Sequence, residues 1–160
     1  MQKDKLEKLK AKFRERKANE EKVEPKWPYE LFGVECGNGW KHLYEPIIDA
    51  VGEYNLNQEN EDDKIEIHQI KEKFGGLRVH LSKYTNELRD MIEAAEELSF
   101  NTCEMCGKHI DKPIVENHWI YAECEDCHKE WLEKRAKANE AFKDKVEEMK
   151  KKSENNKGKS

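Results

Sequence analysis

The sequence predicts an α+β fold: a small helix–β-hairpin–helix domain followed by a compact cysteine-bearing unit, with charged helices at both ends. Three observations predict it. A Gly75-Gly76 pair separates two stretches of alternating apolar residues, "KIEIHQIKEKF" and "LRVHLS". Apolar residues recur at helical spacing on either side of that hairpin. And "CEMCGKHIDKPIVENHWIYAECEDC" carries two Cys-x-x-Cys pairs seventeen residues apart.

Composition limits how much of the chain can be core. Of 160 residues, 41% are charged and 36% hydrophobic, which fits a modest folded centre with solvated ends. The net charge of −5 conceals an asymmetry. Residues 1–22 hold nine Lys/Arg against five Asp/Glu, and residues 140–160 hold seven against five, so the centre carries about −11. An acidic centre disfavours a broad face for nucleic-acid backbone, while basic ends leave a modest non-specific contribution open. No apolar run approaches the ~20 residues that span a bilayer, and "MQKDKLEKLK" lacks the apolar stretch of a signal peptide. The expected location is the cytoplasm, where thiols stay reduced.

The elements follow in order. Residues 1–24 read as a charged helix with a thin stripe of Leu6, Leu9 and Phe13, closed by Pro25 and Pro28. An α+β domain is expected over 29–100. It starts with a tight turn at Gly33, Gly37 and Gly39 and continues as a helix burying Trp40, Leu43, Tyr44, Ile47, Ile48 and Val51. Pro46 marks a possible break or kink in that helix. In the hairpin, Gly75-Gly76 would supply the positive φ angles of the turn. Such a loop places Ile70, Phe74, Leu77, Val79 and Leu81 on one face. Ile65 and Ile67 are out of phase with Ile70, which requires a bulge or a longer loop. Thr85 then caps a helix with Leu88, Met91, Ile92, Ala95 and Leu98 on one stripe. The cysteine unit occupies 101–131. An amphipathic helix with Trp131, Arg135, Ala138, Phe142, Val146 and Met149 spans 128–152, and 153–160 reads as a disordered tail.

The cysteines carry the sharpest chemistry. Cys103, Cys106, Cys124 and Cys127 have the spacing of a four-thiolate zinc site, in which two Cys-x-x-Cys turns close a tetrahedron around Zn²⁺. Gly107 suits a tight knuckle after the first pair, and the second pair opens a helix whose N–H groups stabilise thiolates. "KPIVENHWIYAE" between them can form a short hairpin turning near Asn117. Knuckle, hairpin and helical first turn resemble a treble-clef zinc finger. Disulfides are disfavoured in a reducing compartment, and two pairs argue against a redox motif. His109, His118 or His128 in place of one Cys is the remaining alternative. A closed four-thiolate site leaves no position for a reactive water, so the expected zinc is structural.

Other candidates are weaker. Cys36 and His42 could pair as nucleophile and base, but a buried thiol in a glycine turn is the simpler reading. Glu66, His68, Arg78 and His80 alternate with apolar residues and would share a polar hairpin face, either an acid–base site or a partner-facing surface. Trp119 and Tyr121 would lie on one face of the zinc hairpin, either covering the metal or stacking on a partner. The terminal helices could pack on each other or pair between chains.

Two resemblances bear on function. "CEDCHKE" is similar to the closing segment of HNH nucleases, in which His118 would have to serve as the base. From about Leu31 to Trp131, with "IHQIKEKFGGLRVHLS" and the two knuckles most specific, the chain resembles small uncharacterised zinc-binding proteins of bacteriophages and mobile elements. That resemblance implies an α+β domain ending in a zinc unit and a phage origin, and hence a host-cell cytoplasm. The expectation is a non-enzymatic zinc-binding protein that engages a host or phage protein; the alternative is a nucleic-acid-binding protein or HNH-like nuclease.

Overall fold

A computed structural model describes residues 26–157, and the fold is α+β. The expected N-terminal helix over 1–24 lies outside the described residues. A short helix α1 (Pro28–Phe32) leads into β1 (Val34–Glu35) and a 3₁₀ turn (Asn38–Trp40). Helix α2 (Lys41–Leu56) follows, then a second 3₁₀ turn (Glu61–Asp63), strands β2 (Ile67–Lys73) and β3 (Gly76–Leu81), and helix α3 (Asn86–Ser99). A small hairpin of β4 (Ile114–Glu116) and β5 (Trp119–Tyr121) precedes the long helix α4 (Glu125–Lys157).

The main sheet has the order β1-β2-β3, with β1 parallel to β2 and β2 antiparallel to β3. Strand β1, read from sequence as part of a glycine turn, is only two residues long and pairs Val34 with Ile70. The β2–β3 pairing settles the phase question in favour of a bulge. Ile67 opposes Leu81, the next pair is Gln69 with His80, and His68 is the extra residue. The bulge returns Ile67 and Ile70 to one face, the face of Val79 and Leu81.

The turn is displaced by one residue from the expected Gly75-Gly76. Phe74 (φ 52°) and Gly75 (φ 76°) are its two central residues, and Lys73 pairs with Gly76. Positive φ at both positions is the signature of a type I′ turn, whose twist matches the strands. Phe74 therefore sits at the tip, 70% exposed, and does not join the core face as expected. Gly76 is a glycine for another reason. A Cβ there would lie 2.6 Å from the Phe100 ring.

One core joins the elements. Helix α2 contributes Leu43, Tyr44, Ile47 and Val51; the strands contribute Ile70, Leu77, Val79 and Leu81; α3 contributes Leu88, Ile92 and Ala95. Trp40 is fully buried from the 3₁₀ turn ahead of α2. Pro46 neither breaks nor ends α2, because it lies on the exposed side of a continuous 16-residue helix. Asn55 at the end of α2 donates to the Ile65 carbonyl (2.9 Å) and accepts from its N–H (2.8 Å), fixing the entry to β2. Thr85 caps α3 by accepting from the Leu88 N–H at 3.1 Å. Leu98 departs from the expected stripe and is 56% exposed. Ser99 is buried in its place, its hydroxyl accepting from the Leu77 N–H at 2.8 Å and donating to the Glu96 carbonyl. The last helix continues through Lys157 because no Gly or Pro stops it, so the expected tail from residue 153 is largely helical; residues 158–160 lie outside the described residues. No helix among the described residues is long and apolar enough to cross a membrane.

Gly76→Ala is expected to destabilise the fold by about 1–3 kcal/mol through overpacking against Phe100. Urea unfolding measures the loss. Phe100→Leu in the same chain should restore part of it, because the shorter side chain clears the contact.

Candidate metal centre

Two turns build the site. In the first, the Cys103 N–H bonds to the Lys108 carbonyl (2.7 Å) and the Gly107 N–H to the Cys103 carbonyl (2.9 Å). Gly107 takes φ +79°, a conformation open to glycine at little cost, and this reverses the chain after Cys106. The second turn is the start of α4, where the His128 N–H bonds to the Cys124 carbonyl at 2.9 Å. The β4–β5 hairpin between them brings the two turns together.

The Sγ atoms of Cys103, Cys106, Cys124 and Cys127 all lie within 4.8 Å of one another, with Cys106 and Cys124 at 3.8 Å. All four predicted ligands converge, and the cluster can hold a metal ion. It is the one group of three or more such donors found among the described residues. Cys103 is fully buried and Cys106 is exposed, so the site lies at the edge of the core with one side toward solvent. Burial opposes ionisation of Cys103, but N–H groups of Cys124, Cys106 and Met105 outweigh it and bring its pKa down to about 7. The Cys124 N–H lies 3.2 Å from that sulfur. Cys127 is pushed the other way, by burial and by the neighbouring thiols. Four thiolates in one cluster repel one another, and a bound cation removes that penalty.

None of the three alternative histidines faces the sulfurs as a free ligand. His109 is exposed and sits 3.4 Å from Asp111. His118 is exposed in the β4–β5 turn, where Asn117 and His118 both have positive φ. His128 is buried with both ring nitrogens engaged, Nδ1 with Glu123 at 2.9 Å and Nε2 with Glu116 at 3.1 Å. Burial alone would lower its pKa, but the two carboxylates hold it above the usual histidine value. A ring that donates from both nitrogens is the imidazolium. It ties β4, through Glu116, to the start of α4. Sequence reasoning considered His128 only as a possible ligand; nothing local in the sequence signals this role.

A second connection was also hidden in the sequence. The loop at Gly37–Trp40 grips the knuckle backbone. The Gly39 N–H donates to the Glu104 carbonyl (2.6 Å), the Gly37 N–H to the Glu104 carboxylate (2.8 Å), and the Trp40 indole N–H to the Thr102 carbonyl (2.8 Å). A Cβ on Gly39 would stand 2.2 Å from the Cys103 carbonyl oxygen, and one on Gly37 would stand 2.4 Å from that of Glu104. Only glycine permits this approach. Burial, more than the charges of Glu104 and Glu72 nearby, raises the Cys36 thiol to about 12. His42 is exposed on α2, and Cys36, expected to be buried, is partly buried against the core.

The proposed partner-facing residues separate into groups. Because of the bulge, His68 stacks on Trp27 with ring centroids 3.6 Å apart, and Glu66 accepts from the Trp27 indole at 3.2 Å. Arg78 instead caps the Phe100 ring and donates to the Leu77 carbonyl, while His80 is exposed. The four do not converge on one site. Tyr121 packs against His128 and Trp131 at 4.9 and 5.7 Å between centroids. Trp119 on the same strand is 69% exposed and does not serve as core cover.

Comparison of the chain with known protein families, curated proteins and solved structures finds no match in any of the three.

Gly39→Ala is expected to lower metal affinity by about tenfold or more, read by competition with a chelating dye, because the loop can no longer close on Cys103. Asn38→Ala, at the exposed neighbouring position, should leave affinity unchanged. His128→Ala should cost about 3 kcal/mol or more in thermal or denaturant unfolding of the metal-loaded chain, since it strands the buried Glu123 carboxylate.

Proposed function

We propose that the cysteine cluster binds one structural Zn²⁺ and that the chain is a non-enzymatic interaction protein presenting the β4–β5 hairpin to a protein partner. The observation that carries this reading is the convergence of four sulfurs into one closed set. Tetrahedral zinc with Zn–S bonds of ~2.3 Å has sulfur–sulfur edges of about 3.8 Å, the separation of Cys106 and Cys124. Four thiolates saturate such an ion, which leaves it nothing to activate. The order of knuckle, hairpin and helix supports a treble-clef-like unit.

The surface beside the metal supports the interaction half of the proposal. Trp119 and Val115 are each 69% exposed, on opposite faces of the hairpin, and large exposed apolar groups on such a projecting element favour recognition over solvation. Around them the centre of the chain is acidic, so a basic face on the partner, such as one used for nucleic acid, complements it. The resemblance to phage proteins suggests that the partner is a host or phage protein. The nuclease alternative finds less support: His118 sits in a turn and not on a strand, and all four thiols are committed to one cluster.

Elemental analysis of freshly purified protein should give one zinc per chain, and Cys103→Ser with Cys106→Ser should abolish it; a metal-free or iron-bearing protein defeats the zinc assignment. Chelation should unfold the 101–131 unit, seen as loss of amide dispersion there, and metal affinity should fall with pH as thiolates reprotonate. For the partner, affinity capture from a bacterial lysate is compared between the native chain and Trp119→Ala with Val115→Glu. Retention of the same proteins by both sinks the hairpin reading, and steeply salt-dependent binding to DNA or RNA supports the nucleic-acid alternative instead.

A further inference from the structure

The helix α4 carries a second surface, separate from the hairpin. From Leu132 to Asn155 every residue except Val146 is exposed, so this length of helix packs on nothing among the described residues. Its side chains are nevertheless sorted. At 3.6 residues per turn, Arg135, Ala138, Phe142, Val146 and Met149 all fall within about 40° of the direction of Phe142. Phe142 and Met149 are 68% and 69% exposed. About 60–100° to either side lie Lys134, Lys143, Lys145, Lys150 and Lys152, a basic rim on both flanks of the apolar stripe. Most acids are turned away: Glu133, Glu140, Asp144 and Glu147 occupy the opposite face, with Lys137 and Lys151 among them, while Glu148, about 120° from Phe142, borders one flank of the rim.

Pairs of opposite sign at i,i+4, such as Glu130–Lys134 at 3.3 Å, Glu133–Lys137 and Glu147–Lys151, account for a solvated polar face, but they give no reason for a continuous stripe of Phe142, Val146 and Met149. The rim also excludes two occupants. A second copy of α4, in either orientation, would lay lysine against lysine along both flanks, and like charges across a helix seam are repulsive. The segment 1–22 of this chain has a net charge of +4 and meets the same repulsion. A phosphate backbone would satisfy the lysines but leave Phe142, Val146 and Met149 without apolar cover. What the face matches is an apolar stripe bordered by carboxylates. We propose that Arg135–Lys152 is a docking face for an acidic amphipathic helix of a partner protein, seated on Phe142, Val146 and Met149 and held by the lysine rim.

The test uses the zinc-loaded full chain and a synthetic helical peptide of about 25 residues, with leucines at i, i+4, i+7 and i+11 bordered by glutamates. A matched peptide bears lysines in place of the glutamates. The proposal expects the acidic peptide to bind, salt to weaken it and the basic peptide not to bind, by fluorescence anisotropy. Phe142→Glu should reduce affinity about tenfold or more, as should Lys143→Glu with Lys145→Glu, without moving the thermal midpoint because these positions are exposed. Failure of the acidic peptide to bind, or binding indifferent to Phe142→Glu, overturns the proposal. So does sedimentation of the chain alone as a dimer that Phe142→Glu makes monomeric, which assigns the face to a second copy. Phe142-dependent capture on phosphatidylserine–phosphatidylcholine vesicles, in preference to the peptide, assigns it to a lipid surface.

Discussion

The fold depends on a close backbone approach between segments more than sixty residues apart. Gly37 and Gly39 let the loop ahead of α2 press onto Cys103 and Glu104, and three hydrogen bonds fix it there. Through Trp40 this contact reaches the centre of the core, and through Cys103 it reaches the sulfur cluster. The α+β domain and the metal unit therefore share one interior: Cys103, Ile110 and Ala122 belong to the same buried cluster as Ile47 and Leu77. A metal bound at the cluster would stabilise more than its own loops. It would hold in place the knuckle on which the loop ahead of α2 is anchored.

The two ends of the cysteine unit are locked differently. The first knuckle is held by glycine geometry and by hydrogen bonds that are mostly backbone to backbone, with one to the Glu104 carboxylate. The second is held by a charged network, Glu123–His128–Glu116, in which His128 and Glu123 are buried and Glu116 reaches the surface. Such a network favours one arrangement of β4 against α4, because any other leaves the buried His128 ring without a partner on one nitrogen. Tyr121 and Trp131 close over it and reduce the competition of water for those hydrogen bonds.

What the sequence disclosed is local, and what it concealed is long-range. Four cysteines at metal spacing, the Thr85 cap and the buried face of α2 are each set by residues a few positions apart, and each is where periodicity or ligand chemistry places it. The hairpin turn was misplaced by one residue because Gly75-Gly76 is a stronger turn signal than Phe74-Gly75; the second glycine answers to Phe100, twenty-four positions away. Ser99 is buried where the stripe expects Leu98 for a similar reason, since the Leu77 N–H needs an acceptor at that point and a leucine offers none. The polar hairpin face dissolved once the bulge moved His68 out of register. No periodicity pairs Gly39 with Cys103 or reveals that His128 serves two carboxylates.

Helix α4 begins within the cluster itself: Cys124 precedes its first residue and Cys127 lies in its first turn. At 1.5 Å per residue its 33 residues extend about 50 Å. The sulfurs thus form the pivot of a long lever, and a reorientation of about 10° at the pivot carries the far end by about 8–9 Å. Geometry at four sulfur atoms is in this way written large at the distant tip.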